Sequence, residues 1–137
     1  MDIFNVLRYM HPNAQFIMDE SYESITWHSQ DIPKPTLQEI EAAYPSYQFY
    51  LFKKQAGKII QDFIDKKAQE KDYGDGVLCA SYKDSTNAQW QQEAQAFIAW
   101  RDAVWLYAYS ELALIQAGEK PIPTIEEFIQ SLPDLNW

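Results

Sequence analysis

Apolar residues along this sequence follow a few distinct rhythms, and the rhythm changes wherever prolines occur. Behind Asp2, the residues Ile3, Val6, Leu7 and Met10 recur at helical spacing, which predicts a short amphipathic helix over residues 2–10 capped by Asp2. The His11-Pro12-Asn13 break ends it, because the residue before a proline is driven out of helical conformation. Two apolar, β-branched runs follow, at 15–18 and 24–28, separated by polar Asp19, Glu20 and Ser21. That pattern predicts a small β-hairpin confined to residues 14–30. A two-stranded hairpin is marginal alone, so this one has to pack on helices or join a partner's sheet.

After Pro33-Lys34-Pro35 the pattern turns helical. Thr36-Leu-Gln-Glu39 has the spacing of a capping box, and Thr124-Ile-Glu-Glu127, following Pro121 and Pro123, repeats it, so a helix should start at each. Between Tyr47 and Lys71, Phe52, Ala56, Ile59 and Phe63 form a stripe that Ile60 and Ile64 widen, the mark of a long helix with one buried face. The turn chemistry of Tyr73-Gly-Asp-Gly76 should end it, and Val77 to Tyr82 fits either a short helix or a strand. The longest helix is predicted from about Asn87 to Ala117, with Gly118 as its stop. One row of that helix carries Ala94, Ile98, Trp105, Ala108, Leu112 and Ile115, and an adjacent row carries Phe97, Trp100, Val104, Tyr107 and Leu114. A helix this broadly apolar has to be covered on two sides.

These elements predict a mainly α fold, at least half helical: a long helical hairpin with a small N-terminal β-hairpin and short terminal helices. With 137 residues the chain is expected to form a single domain, residues 1–33 holding the first helix and hairpin and residues 36–137 the helical part. Hydrophobic residues make up 47% and the aromatics include five Trp, nine Tyr and seven Phe, a composition that argues against disorder.

Charge narrows the function classes. The net charge of −9 argues against a surface that coats nucleic-acid phosphates or anionic lipid. Only residues 51–72 are basic, with Lys54 and Lys58 on one face and Lys67 and Lys71 on another. A solvated helix face is the simpler reading of these lysines; a docking stripe for an acidic partner is the alternative. The start, Met1-Asp-Ile-Phe-Asn5, lacks the basic and long apolar regions of a secretory signal. Arg101, Asp102 and Glu111 interrupt the most apolar stretch, so no membrane span is expected.

Candidate chemistry is sparse. Cys79 sits in the apolar run Val77-Leu-Cys-Ala-Ser81, where a free cysteine is usually an inert core residue, and nothing ties it to His11 or His28. Asp72, Asp75 and Asp84 flank a glycine turn without the spacing of a calcium loop, and Asp72 and Asp75 read as turn and cap residues. The pairs Asp31 with Glu39, and Glu126 with Glu127, would need a sugar-sized cleft to act as acid and base. Four glycines, at 57, 74, 76 and 118, cannot write a phosphate-binding loop. No cofactor and no metal are expected. Phe97, Arg101 and Trp105 lie at i, i+4 and i+8, so the guanidinium can sit between two aromatic faces as a structural clamp while Asp102 points elsewhere. Replacing Arg101 would then cost about 2–4 kcal/mol.

Four segments carry a resemblance: Ala99-Trp-Arg-Asp-Ala-Val-Trp105, Asp72-Tyr-Gly-Asp-Gly76, Ile25-Thr-Trp27, and Pro33-Lys-Pro-Thr-Leu-Gln-Glu-Ile40. Together they resemble small proteins encoded beside tail-fibre genes in bacteriophages and prophages, including tail-fibre assembly proteins, over most of residues 24–132. The resemblance implies a non-enzymatic, tail-associated role in which the chain binds a tail-fibre or baseplate protein as an assembly helper or minor structural subunit. It places the chain in the host bacterial cytoplasm during assembly and, if retained, in the virion tail. On this view the hairpin scaffold of residues 36–118 presents Phe16, Tyr22 and Trp27 to the partner. The alternative is an acidic inhibitor that mimics phosphates to occupy a host nucleic-acid-binding defence protein, and a small hydrolase ranks third. Either the N-terminal elements and the 124–132 helix fold back over the 87–117 helix or a second copy of the chain covers it, and the aromatic content tilts the expectation toward a homo-oligomer.

Overall fold

The computed structural model describes residues 1–137 and is mainly α, with 65% of the residues helical. In chain order the elements are α1 (Ile3–Met10), β1 (Phe16–Ile17), β2 (Thr26–Trp27), α2 (Leu37–Gln69), α3 (Gly76–Ser81), α4 (Ala88–Gln116) and α5 (Ile125–Ser131). Single 3₁₀ turns lie at Tyr22–Ser24 and Tyr82–Asp84. The chain divides into two compact units, Met1–Leu51 and Phe52–Trp137. Their boundary falls inside α2.

In the first unit, Asp2 caps α1 by accepting the Asn5 N–H at 3.1 Å. One face of α1 buries Val6 and Leu7 against Ala14, Phe16, Ile25 and Ile40. The hairpin is shorter than its apolar runs, two antiparallel residues per strand, with Phe16 opposite Trp27 and Ile17 opposite Thr26. Such a short ladder is held by side chains. Trp27 stacks on Phe16 with centroids 5.5 Å apart and donates its indole N–H to the Ile32 carbonyl at 2.7 Å. The capping box forms as expected: the Thr36 N–H donates to Glu39 Oε2 at 2.7 Å and the Glu39 N–H to Thr36 Oγ1 at 3.2 Å.

Two expected helices are one. Pro45 lies inside α2, which runs unbroken for 33 residues. Proline removes one N–H and crowds the carbonyl four residues earlier, a local cost of about 3 kcal/mol that the rest of the helix has to offset. Here a capping box lies upstream, while the Tyr47 ring meets Tyr9 at 5.7 Å downstream.

In the second unit the buried row of α2 is Phe52, Ala56, Ile60, Ile64 and Ala68, a strict i, i+4 series, with Ile59 and Phe63 only half-buried. The buried row of α4 is Ala94, Phe97, Trp100, Val104, Ala108, Leu112 and Ile115. Phe63 meets Trp100 across the pair at 5.6 Å, and Phe128 of α5 sets its ring edge-on to Phe52 at 5.5 Å. Asn87 caps α4, Gly118 ends it at a φ of 76°, and Thr124 and Glu127 form the second capping box. Residues 133–137 are tied down by several contacts. The Trp100 indole donates to the Pro133 carbonyl at 2.8 Å, Lys67 pairs with Asp134 at 2.9 Å and donates to the Leu135 carbonyl, and Trp137 stacks on Phe97.

Candidate functional site

The second unit carries an open cleft of about 450 Å³ lined by Glu70, Lys71, Asp72, Tyr73, Tyr82, Gln89, Trp90 and Glu93. Its walls follow from how three helices end or begin. α2 finishes in a turn that puts Asp72 in the left-handed region, at a φ of 65°, and the Tyr73 N–H then donates back to the Ala68 carbonyl. Aspartate tolerates that conformation better than most residues. Asp75 accepts the Leu78 N–H at 2.8 Å and starts α3, whose end in a 3₁₀ turn delivers Tyr82. Asn87 accepts the N–H groups of Gln89 and Trp90, which sets Trp90 in the first turn of α4.

Three rings then run along the cleft. Tyr73 lies 5.5 Å from Tyr82, and Tyr82 lies 5.7 Å from Trp90 in an edge-to-face arrangement. Tyr82 is 39% exposed and Trp90 46%, so both show a face to solvent. The Tyr73 hydroxyl is shielded from solvent and has no hydrogen-bond partner. Burial pushes its pKa up, and the nearby Glu93 carboxylate adds to the effect. A second hollow of about 290 Å³ adjoins the first, sharing Lys71, Gln89 and Glu93 with it and adding Trp137. Lys71 holds its ammonium 5.9 Å from the Trp137 ring centre. The Trp137 indole N–H donates to Glu70 at 3.2 Å.

The structure gives the residues singled out from sequence other employment. Phe16 is 7% exposed and belongs to the first unit's core. The Tyr22 hydroxyl donates to the Pro35 carbonyl at 2.9 Å, with Lys34 over its ring, and the Trp27 indole is bound to Ile32. Phe16 is therefore closed to a partner, while Tyr22 and Trp27 are partly buried and engaged within their own unit. The clamp at Arg101 is also corrected. Arg101 donates twice to Asp102, at 2.8 and 3.0 Å, while Phe97 stacks on Trp137 and Trp105 packs against Tyr109. The adjacent carboxylate is within reach of a half-exposed guanidinium, which helical spacing alone does not reveal.

The arginine that does stack is Arg8, whose guanidinium lies over the rings of Phe4 and Phe16. Sequence reasoning missed it, although Phe4 and Arg8 share the i, i+4 spacing that pointed to Arg101. Tyr73, Tyr82 and Trp90 were missed too. They stand nine and eight residues apart, and no helical or strand period connects them.

Cys79 is fully buried, and burial, with a smaller effect of Glu93, pushes its thiol up to about 11. No group of three or more His, Cys, Asp or Glu side chains is placed to hold a metal ion. No helix is long and apolar enough to cross a membrane. Comparison of the chain with protein-family models, with curated proteins and with solved structures finds no match.

Proposed function

We propose that this chain is a non-enzymatic binding protein that holds a protein partner through the cleft of its second unit, with a tail-fibre or baseplate protein as that partner. The observation that carries the reading is the pair Tyr82 and Trp90, two large aromatics left half-open at the mouth of a cleft. Aromatic side chains of this kind, beside charged groups, are the usual anchors of protein interfaces. Supporting it, several of the groups that the sequence offers for chemistry have structural work: Cys79 is sealed with a raised pKa, Asp75 caps α3, and Glu39 and Glu127 close capping boxes. The tail-associated part of the proposal rests on the sequence resemblance.

Isothermal titration calorimetry against the tail-fibre and baseplate proteins of the same source genome tests it. Saturable binding weakened at least tenfold by Trp90→Ala is the expected result. No heat with any of them overturns the assignment of partner.

A separate observation supports self-association. Leu106 and Tyr109 stand 72% and 62% exposed on α4, where a second copy related by a two-fold axis would cover them. Sedimentation equilibrium should then give a mass that rises with concentration above 16.0 kDa, and a mass fixed at that value excludes it.

A further inference from the structure

We propose that the Tyr73–Tyr82–Trp90 cleft is a receptor for an arginine side chain of the partner, with the aromatic faces taking the guanidinium plane and Asp72 and Glu93 taking its N–H edge. The inference rests on the reading of this cleft as the partner-binding surface and names what the surface recognises.

Charge is the first support. Of the four charged side chains lining the cleft, three are acidic. Glu70 is engaged, accepting from the Trp137 indole and pairing with Lys67 at 3.2 Å. Lys71 leans toward Trp137 in the adjoining hollow. Asp72 and Glu93 form no ion pair within the unit. With Lys71 the single cation against three carboxylates, the cleft is net negative beside an aromatic wall, which complements a cationic visitor and repels an anionic one.

The second support is the match between the wall and the shape of the group: Tyr82 and Trp90 are both partly exposed beside the carboxylates. A guanidinium carries five N–H donors in a fixed plane, so one group can stack on a ring and donate along its edge together. An anion has no comparable welcome at the start of α4. The N–H groups of Gln89 and Trp90 that would greet it are already taken by Asn87.

A saccharide is the competing occupant, since sugars also stack on Tyr and Trp beside carboxylates; it lacks the charge that Asp72 and Glu93 call for. The probe that separates them is the blocked tripeptide acetyl-Gly-Arg-Gly-amide, titrated into the full chain and followed by the Trp90 indole resonance in ¹H–¹⁵N spectra. Acetyl-Gly-Gln-Gly-amide and methyl glucoside serve as neutral controls. The expected result is a saturable Trp90 shift with the arginine peptide alone. Affinity, read in both variants from the Gln89 backbone amide at the same cleft, should weaken at least tenfold in Trp90→Ala and at least fivefold in Glu93→Gln, both with otherwise unchanged spectral dispersion. Equal shifts with the glutamine peptide, a shift with the glucoside but not with the arginine peptide, or undiminished affinity in Glu93→Gln overturns the proposal. The titration needs no partner protein, so its failure is distinct from failure of the calorimetric test of partner binding.

Discussion

The guanidinium carbon of Arg8 lies 4.6 Å from the centre of the Phe16 ring. Phe4 approaches the same group at 5.4 Å, and Arg8 Nη1 donates to the Ala14 carbonyl at 2.6 Å. One side chain therefore joins α1 to the loop that enters β1. Arg8→Ala should lower stability by about 2 kcal/mol, combining a partly desolvated cation–π contact with a charged hydrogen bond. Arg101→Ala should change it by no more than about 0.5 kcal/mol, since that residue makes only a surface pair with its neighbour. Urea denaturation of both variants checks this, and a larger loss at Arg101 would contradict the placement.

Gly76 is the position where two helices leave room for nothing larger. A Cβ there would meet Ile64 Cγ2 and Phe97 Cζ, each at 3.1 Å, and both of those side chains are fully buried. Alanine normally improves a helix by up to about 1 kcal/mol over glycine. Overpacking a closed core costs about 1–3 kcal/mol, so the second effect should win. Gly76→Ala is expected to lower the melting temperature, whereas Gly57→Ala, with open space around its Cβ, should raise it.

Attachment of residues 133–137 should depend on pH at both extremes. Hydrogen bonds from Lys67 and from the Leu135 N–H hold the Asp134 carboxyl below its ordinary 3.8. A lowered folded pKa means stability that is present above about pH 4 and lost as pH falls through the lowered value. Partial burial works against the Lys67 charge, but hydrogen bonds to Asp134 and Glu70 outweigh it and hold the group above its ordinary 10.5. That contribution is complete below about pH 10 and is lost as pH rises through the raised value. Melting temperatures of wild type and Asp134→Asn should differ by a constant amount between these limits and converge outside them. A difference that persists unchanged at pH 2 would refute the pair.

Cys79 should resist modification. Its thiol is enclosed and pushed up to about 11, so little thiolate exists at pH 8 and none of it is reachable. Reaction with a small aromatic disulfide should run at less than about 1% of the rate in denaturant. Rapid labelling of the folded chain would show that α3 opens.

What the amino-acid order determined by itself was local. The capping boxes at Thr36 and Thr124, the Asp2 and Asn87 caps, the Gly118 stop and the two long apolar periods are all consequences of near neighbours, and each cap and stop formed where it was expected. Tertiary structure decided the rest. Pro45 is a strong breaker only when propensity acts alone, and the surrounding chain carries the helix through it. Arg8 and Arg101 share the same helical spacing to a phenylalanine. Which of them stacks was settled by where Phe16 arrives from the hairpin and by the carboxylate next to Arg101. The cleft was the least legible feature, because Tyr73, Tyr82, Trp90 and Trp137 come from four separate segments. Periodicity reports which residues share a face of one element; it carries no information about rings brought together by the ends of several.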